Sequence, residues 1–241
     1  MSFDFLFVPV RGLDDSPRKF RHDIQIPLAL ASFSLDRHLD VSSFAPLRRL
    51  REQSPDLLVN GQFESAWALV SDVQNSLMNL NPHQLRRFSL QASDWMIMAA
   101  TATMSSRFEQ ATAWCQHSIR VGSASPIVAA DALAIYGICM SRTLLKPTSQ
   151  RNAIQLLQSA YQQHLSIGAI SAAITDLCSL AVVEFNSVGR ACAEATMELV
   201  NERLQTLQAD NTAQAVSRFI AAFGAQCKIP RTENTKAFCA G

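Results

Sequence analysis

Hydrophobic residues recur with helical period along most of the chain after residue 45, and short Gly- or Pro-containing stretches separate the periodic runs. Apolar positions three and four residues apart give each run one face that packs on a core. The pattern predicts helices over 46–59 (bent at Pro55), 62–79, 83–104, 107–121, 126–145, 150–166, 169–187, 190–208 and 211–226. Short connections between long helices make neighbours antiparallel, so we expect an all-α fold of stacked antiparallel helix pairs.

The first 45 residues follow a different pattern. Phe3, Phe5 and Phe7 alternate with strand period, which predicts an extended stretch, whereas Leu28 to Leu39 predicts a short helix. We therefore expect three parts: a less regular N-terminal segment (1–45) packed on the body, a helical-repeat domain (46–227) and a flexible C-terminal tail (228–241).

Alanines mark a repeat within the helical part. Four predicted helices carry one near their start, and the intervals between successive alanines are 45, 42 and 42 residues. These alanines are Ala66, Ala111, Ala153 and Ala195. A small residue lets two crossing helices approach closely, and an interval of about 40 residues is typical of a repeated two-helix unit.

Residues 95–118 resemble one unit of the tetratricopeptide-repeat family. The residues on the family's W, L, G, Y, Y and A positions are Trp95, Met98, Ala99, Ala102, Phe108 and Ala111. The chain departs from the family where alanine replaces its glycine and its first tyrosine. The resemblance implies a tetratricopeptide-repeat-like α-solenoid; the alternative is a generic helical bundle with coincidental alanine spacing.

The resemblance also implies a concave face, lined by the first helix of each pair, that receives a peptide or helix of a partner protein. Mapped onto this chain, the lining residues are Ser93, Met96, Ala100, Thr103, Met104, Asp131, Ala134, Ile138 and Arg142. Most of them are small or apolar, so a hydrophobic segment is the expected ligand. The same residues would alternatively pack against the Phe-rich N-terminal segment of the chain itself.

Composition narrows the classes of partner and compartment. The net charge is +1 and charged residues make up 17% of the chain, so we expect no basic face for nucleic acid. Asp176 and Glu184 interrupt the longest apolar run, which we interpret as a core helix and not as a membrane span. The six cysteines have no C-x-x-C spacing and favour a reducing, cytoplasmic location.

No local motif for catalysis, metal binding or cofactor binding is present, and we expect no cofactor. The five histidines have no ligand partner at helical spacing, and no nucleophile-elbow, Walker or dinucleotide pattern occurs. The leading hypothesis is a non-enzymatic adaptor or chaperone that holds a partner protein; oligomerisation stays open. The alternatives are a regulatory domain of the same fold that senses a small ligand or peptide, and an all-α enzyme without a local motif.

Overall fold

The protein is described here by a computed structural model. It covers residues 5–10, 24–34, 44–81, 90–121, 125–143, 147–205 and 211–228. The described helices are α1 (Ala45–Val59), α2 (Phe63–Met78), α3 (Ala92–Met104), α4 (Phe108–Val121), α5 (Pro126–Thr143), α6 (Pro147–Ser166), α7 (Ile170–Ser187), α8 (Arg190–Gln205) and α9 (Asn211–Lys228). Before them lie strands β1 (Phe5–Val10) and β2 (Ile24–Ala29) and a 3-10 turn (Ala31–Ser34). The predicted fold class, stacked helix pairs with a less regular N-terminal segment, is confirmed.

The helices form a stack with two different sides. Each helix packs on its neighbours in sequence, and the odd-numbered helices also contact one another from α1 to α3, α5 and α7. We call the side formed by α1, α3, α5, α7 and α9 the odd-helix face. The N-terminal segment lies on it: β1 contacts α1, the 3-10 turn contacts α5, and β2 contacts α7 and α9.

Small residues stand where helices approach closely. Ala66, Ala111 and Ala153 are completely buried on α2, α4 and α6. On α8 the predicted residue was wrong: Ala195 is exposed, and Ala193 takes the buried position. Both alanines match the sequence pattern, and only packing selects between them.

Gly137 shows how tight the packing between α5 and α6 is. A Cβ atom at this position would lie 2.7 Å from Cγ of Leu157 and 3.2 Å from the carbonyl oxygen of Ala153. Real Cβ atoms do not approach other atoms so closely, because the repulsion is steep. Glycine at 137 is therefore required by the contact with α6.

The same helix-ending turn occurs three times. Gly61, Ser106 and Gly168 have φ angles of 72°, 59° and 75°. In each turn the next backbone N–H donates to a carbonyl five residues earlier, as in Gln62 to Leu57 at 2.8 Å. This bond is the signature of a Schellman cap, which needs a left-handed residue and so favours glycine. The cap at Gly61 ends α1, the one at Ser106 ends α3 and the one at Gly168 ends α6.

Two predicted helices were wrong in part. Residues 28 and 29 belong to β2 and residues 31–34 form the 3-10 turn, so no helix begins at Leu28; residues 35–39 lie outside the described residues. The helix predicted over 83–104 is interrupted at residues 90 and 91, and α3 begins at Ala92, because Gln91 is extended and its N–H donates to the Asp94 side chain at 2.8 Å. Residues 82–89 and the predicted tail after Lys228 are also outside the described part.

Helix α7 is the one described helix that is long and apolar enough to cross a membrane by length and composition alone. Most of it is buried in the protein, as predicted for a core helix, because α6 and α8 pack on one side and β2 on the other. Four of the five cysteines in the described residues, Cys115, Cys139, Cys178 and Cys227, are buried and are not joined in disulfides. Cys192 is exposed.

Candidate functional site on the odd-helix face

The N-terminal segment is fastened to the odd-helix face through its backbone. The N–H of Ala29 donates to Oγ1 of Thr175 on α7 at 3.1 Å. The N–H groups of Ala31 and Ser32 donate to the two carboxylate oxygens of Asp131 on α5, at 3.0 and 2.7 Å. The face thus holds the main chain at three points, and no side chain of the segment is needed for those three bonds.

Both carboxylate oxygens of Asp131 accept hydrogen bonds. Besides the two amides, its carboxylate accepts a close hydrogen bond from Oγ of Ser32 and one from the ring of His164. Asp131 is completely buried in an otherwise apolar helix. An ionised carboxylate tolerates such a position only when several donors replace its water, and here the segment provides three of the four.

His164, near the end of α6, lies between two carboxylates. Its Nδ1 is 2.7 Å from Oδ2 of Asp176 and its Nε2 is 3.0 Å from Oδ1 of Asp131. The side chains of all three residues have 0% exposure. We call Asp131, His164 and Asp176 the sealed cluster; it joins α5, α6 and α7 directly beneath the 3-10 turn.

The sealed cluster has unusual protonation. Burial alone would lower the pKa of His164, but the hydrogen bonds to Asp131 and Asp176 and the charges of these carboxylates outweigh it and raise the pKa to about 10. Burial raises the pKa of Asp176 to about 6, although its bond to His164 acts in the opposite direction. At neutral pH the imidazolium therefore donates from both nitrogens, which is the arrangement that two facing carboxylates require.

One acceptor in the sealed cluster is left over. Oδ1 of Asp176 is buried and accepts no hydrogen bond from the described residues, and Oγ of Ser179, one helical turn further on, is likewise without a partner there. Counting both carboxylates as ionised, the cluster carries a net charge of −1. The surplus negative charge favours donors at this point of the odd-helix face and disfavours acceptors.

Apolar side chains of the segment complete the contact. Ile26, Leu28 and Leu30 alternate along the segment and are each at most 3% exposed within the main core. Ala29 and Ala31 point to a second, smaller cluster with Ala172 and Ala215 of α7 and α9. Strand β1 covers the outer edge of β2, with Leu6 opposite Leu28 and Val8 opposite Ile26.

The predicted lining residues do lie on α3 and α5, but most of them are not open to solvent. Seven are buried: Met96, Ala100, Thr103, Met104, Asp131, Ala134 and Ile138. Ser93 and Arg142 are half-buried. Met96 and Asp131 contact Ser32, whereas Thr103 donates to the carbonyl of Ala99 and lies 3.2 Å from the Cys139 sulfur. That a partner binds these residues stays a prediction; in this structure Met96 and Asp131 contact the chain's own segment.

The sequence interpretation missed His164 and Asp176. It tested histidines for partners on the same helix, whereas both partners of His164 come from neighbouring helices. A usable signal was present: Asp131 and Asp176 are acidic residues in strongly apolar helical runs. A buried acid needs a donor, and a search for that donor among neighbouring helices would have reached His164.

A third buried aspartate on the odd-helix face has more open surroundings. Asp94 on α3 accepts from Nε and Nη2 of Arg51 on α1, at 2.6 and 2.9 Å. The side chain of Asp94 has 0% exposure and that of Arg51 has 19%. We call Arg51 and Asp94 the open pair.

The outer helices carry aromatic contacts between repeat units. Trp67 on α2 and Trp114 on α4 stack with ring centroids 6.1 Å apart, and the guanidinium of Arg107 lies 4.1 Å from the centre of the Trp67 ring. Among the described residues, no group of three His, Cys, Asp or Glu side chains is arranged to hold a metal ion.

Comparison with known proteins adds no relative: no family model matches the chain, and no curated protein or solved structure matches it at a significant level.

Proposed function

We propose that this protein is a non-enzymatic interaction module of tetratricopeptide-repeat type, an adaptor or chaperone that holds a peptide segment of a partner protein on its odd-helix face. The observation that supports the proposal is that Thr175 and Asp131 bind an extended segment on that face. They accept hydrogen bonds from three of its backbone amides. A surface that binds main-chain donors can accept a segment from another chain by the same bonds.

The repeat geometry supports the family part of the proposal. The inner position of four even-numbered helices is a buried alanine, and the cap at Gly61 is repeated at Ser106. Both caps join the first helix of a pair to the second, at the same place in successive units. A repeated unit of this kind exposes a continuous face of first helices, which relatives of this architecture use for binding.

The sealed cluster is the feature that an enzyme hypothesis would use, and its geometry favours a fastening role. An acid–base histidine needs one ring nitrogen within reach of the substrate. Both nitrogens of His164 are bonded to carboxylates, and the side chain has no exposed surface. A proton-transfer role would require the segment and a carboxylate to move first.

Site-specific photo-crosslinking tests the proposal. The photoreactive residue p-benzoylphenylalanine is placed in the full chain at Ile127, a half-buried residue of α5 that packs beside Ala29 and Ala31. A matched control carries it at Met78, which is 75% exposed on α2. After irradiation in the native host, we expect one predominant protein to be crosslinked from position 127 and not from position 78.

Two results would contradict the proposal. The absence of any crosslinked protein at position 127 would mean that no partner contacts this part of the odd-helix face. An adduct from position 78 alone would place the partner on the other side of the helix stack.

A further inference from the structure

Resting on the proposed function, we infer that the odd-helix face recognises a partner peptide with the chemistry of residues 24–34, and that this peptide binds by replacing the chain's own segment. The recognised pattern is an extended strand with alternating large apolar side chains, followed by a turn of small residues that presents two consecutive amides and a hydroxyl. In this chain the pattern reads Ile-Gln-Ile-Pro-Leu-Ala-Leu-Ala-Ser-Phe-Ser.

The polar half of the recognition is set by Asp131. Its two carboxylate oxygens accept hydrogen bonds from the amides of Ala31 and Ser32 and from the Ser32 hydroxyl. Two consecutive amides reach one carboxylate only where the chain turns, as at the start of a 3-10 or α-helix. The odd-helix face therefore recognises a turn that follows the strand.

The apolar half is set by the spacing of the strand. Ile26, Leu28 and Leu30 stand at alternate positions and are almost completely buried, and between them Ala29 packs on Ala172. Large residues are accepted on one side of the strand, while the opposite side meets alanines of α7 and α9. A ligand with a large side chain at the position of Ala29 would collide with α7.

Charge sets what the face excludes. With His164 protonated, the sealed cluster still has one surplus negative charge, and Oδ1 of Asp176 has no donor among the described residues. An acidic or phosphorylated residue in place of Ser32 would bring a second anion to Asp131 without a compensating cation there. A hydroxyl-bearing turn is accepted and an acidic turn is rejected.

A partner peptide can replace the chain's own segment because both can make the same contacts with the helices. A two-stranded sheet has little stability of its own, so β1 and β2 depend on the helices, and a second peptide can make the same three amide bonds and apolar contacts. The covalent link gives the chain's own segment an effective concentration on the order of millimolar. A free peptide therefore competes poorly with the intact protein and much better with a protein whose own segment binds less tightly.

Fluorescence anisotropy of a labelled synthetic peptide of residues 24–34 tests this with the full chain. We expect weak binding to the native protein and at least about tenfold tighter binding to Leu28→Ala, which loses apolar contact only in the attached segment. Ser32→Ala weakens the binding of the attached segment less than Leu28→Ala does. If Leu28→Ala does not fold, Ser32→Ala provides the same comparison with the native protein, with a smaller gain in peptide affinity. A control peptide with glutamate at the position of Ser32 should bind at least tenfold more weakly to every variant.

Adding Thr175→Val to the loosened protein removes the acceptor for the first amide and should weaken peptide binding several-fold. Equal binding of the serine and glutamate peptides, or no gain in either loosened variant, would overturn the inference. If the peptide binds as expected but no partner is crosslinked from position 127, the face recognises this chemistry and the adaptor function fails. If a partner is crosslinked there and the peptide does not compete with it, the function stands and the inferred ligand chemistry fails.

Discussion

The open pair and the sealed cluster both compensate a buried carboxylate with a cation, but they differ in their exposure to solvent. Each satisfies a buried aspartate of the odd-helix face with a cation from a neighbouring helix: Arg51 for Asp94, and His164 for Asp131 and Asp176. Arg51 keeps 19% of its side chain in solvent, whereas the cluster has no exposure. The N-terminal segment makes this difference, because its 3-10 turn lies over Asp131 and no described segment covers Arg51 in the same way.

The difference has an energetic meaning. Water screens a partly exposed ion pair, and it can hydrate either partner when the other is lost. A sealed group has no such substitute, so each partner depends on the others. Four experiments exploit this contrast.

The largest effect is expected from removing the cation. His164→Ala leaves two buried carboxylates facing each other without the cation between them and should lower the free energy of unfolding by about 3–5 kcal/mol. Arg51→Ala should cost less, about 1–3 kcal/mol, because water can enter beside Asp94. Urea denaturation at pH 7 measures both. Equal losses would show that the segment does not seal the cluster.

The second effect is a loss of stability with rising pH. His164 has a folded-state pKa of about 10 against about 6.5 when unfolded, so its contribution is complete below pH 6.5 and is lost as pH rises through 10. The pKa of Asp176, raised to about 6, acts in the same direction between about pH 4 and 6. Melting temperatures of the native protein should therefore fall toward alkaline pH.

A matched pair of variants isolates the contribution of His164 to this profile. His164→Gln should lose the alkaline part of the decline, whereas Arg51→Ala should keep it, since the sealed cluster is intact. The measurement is the difference in melting temperature between each variant and the native protein from pH 6 to 10. A constant difference for His164→Gln would contradict the assigned protonation.

A smaller effect on stability is expected from a substitution in the 3-10 turn that covers the sealed cluster. Ser32→Ala removes one hydrogen bond to Asp131 but keeps both amides, and should cost about 1 kcal/mol. Ser71→Ala is the control, because its hydroxyl donates to a carbonyl of its own helix, Trp67, and its loss should cost less. Chemical denaturation compares the two; a larger loss for Ser71→Ala would argue against the role of the turn.

The smallest effect is the response to salt. In 1 M NaCl the loss caused by Arg51→Ala should shrink by a few tenths of a kcal/mol, because ions screen a partly exposed pair. The loss caused by His164→Ala should stay unchanged. The same denaturation curves at low and high salt provide the measurement, and a salt-sensitive His164→Ala would mean that ions reach the cluster.

The helical part was largely predictable because its signals are local. Hydrophobic period places a helix, and Gly61 ends one by a backbone conformation that few other residues adopt readily. Eight of the nine predicted helices begin and end within three residues of the observed ones where the structure describes them. The helix predicted from 83 failed because the cap formed by Gln91 and Asp94 competes with helix continuation.

The candidate site was only partly predictable. Asp131 was identified by its repeat position, but its partners come from residues about 30 and 100 positions away in the sequence, on α6 and on the 3-10 turn. The same long-range bonds explain the wrong helix at Leu28, because the amides of Ala29, Ala31 and Ser32 donate to side chains of α5 and α7 instead of to carbonyls of their own segment.

By itself, the sequence determined the all-α class, the succession of helix pairs and the separate character of the first 45 residues, because periodicity and turn chemistry act within a few residues. Only the tertiary structure decided that the N-terminal segment covers the odd-helix face, and that two isolated acidic residues and His164 meet beneath it. The physical reason is that burying a charge is favourable only when its hydrogen-bonding partners arrive together, and here the carboxylates and their donors come from four separate elements of the chain, α5, α6, α7 and the 3-10 turn.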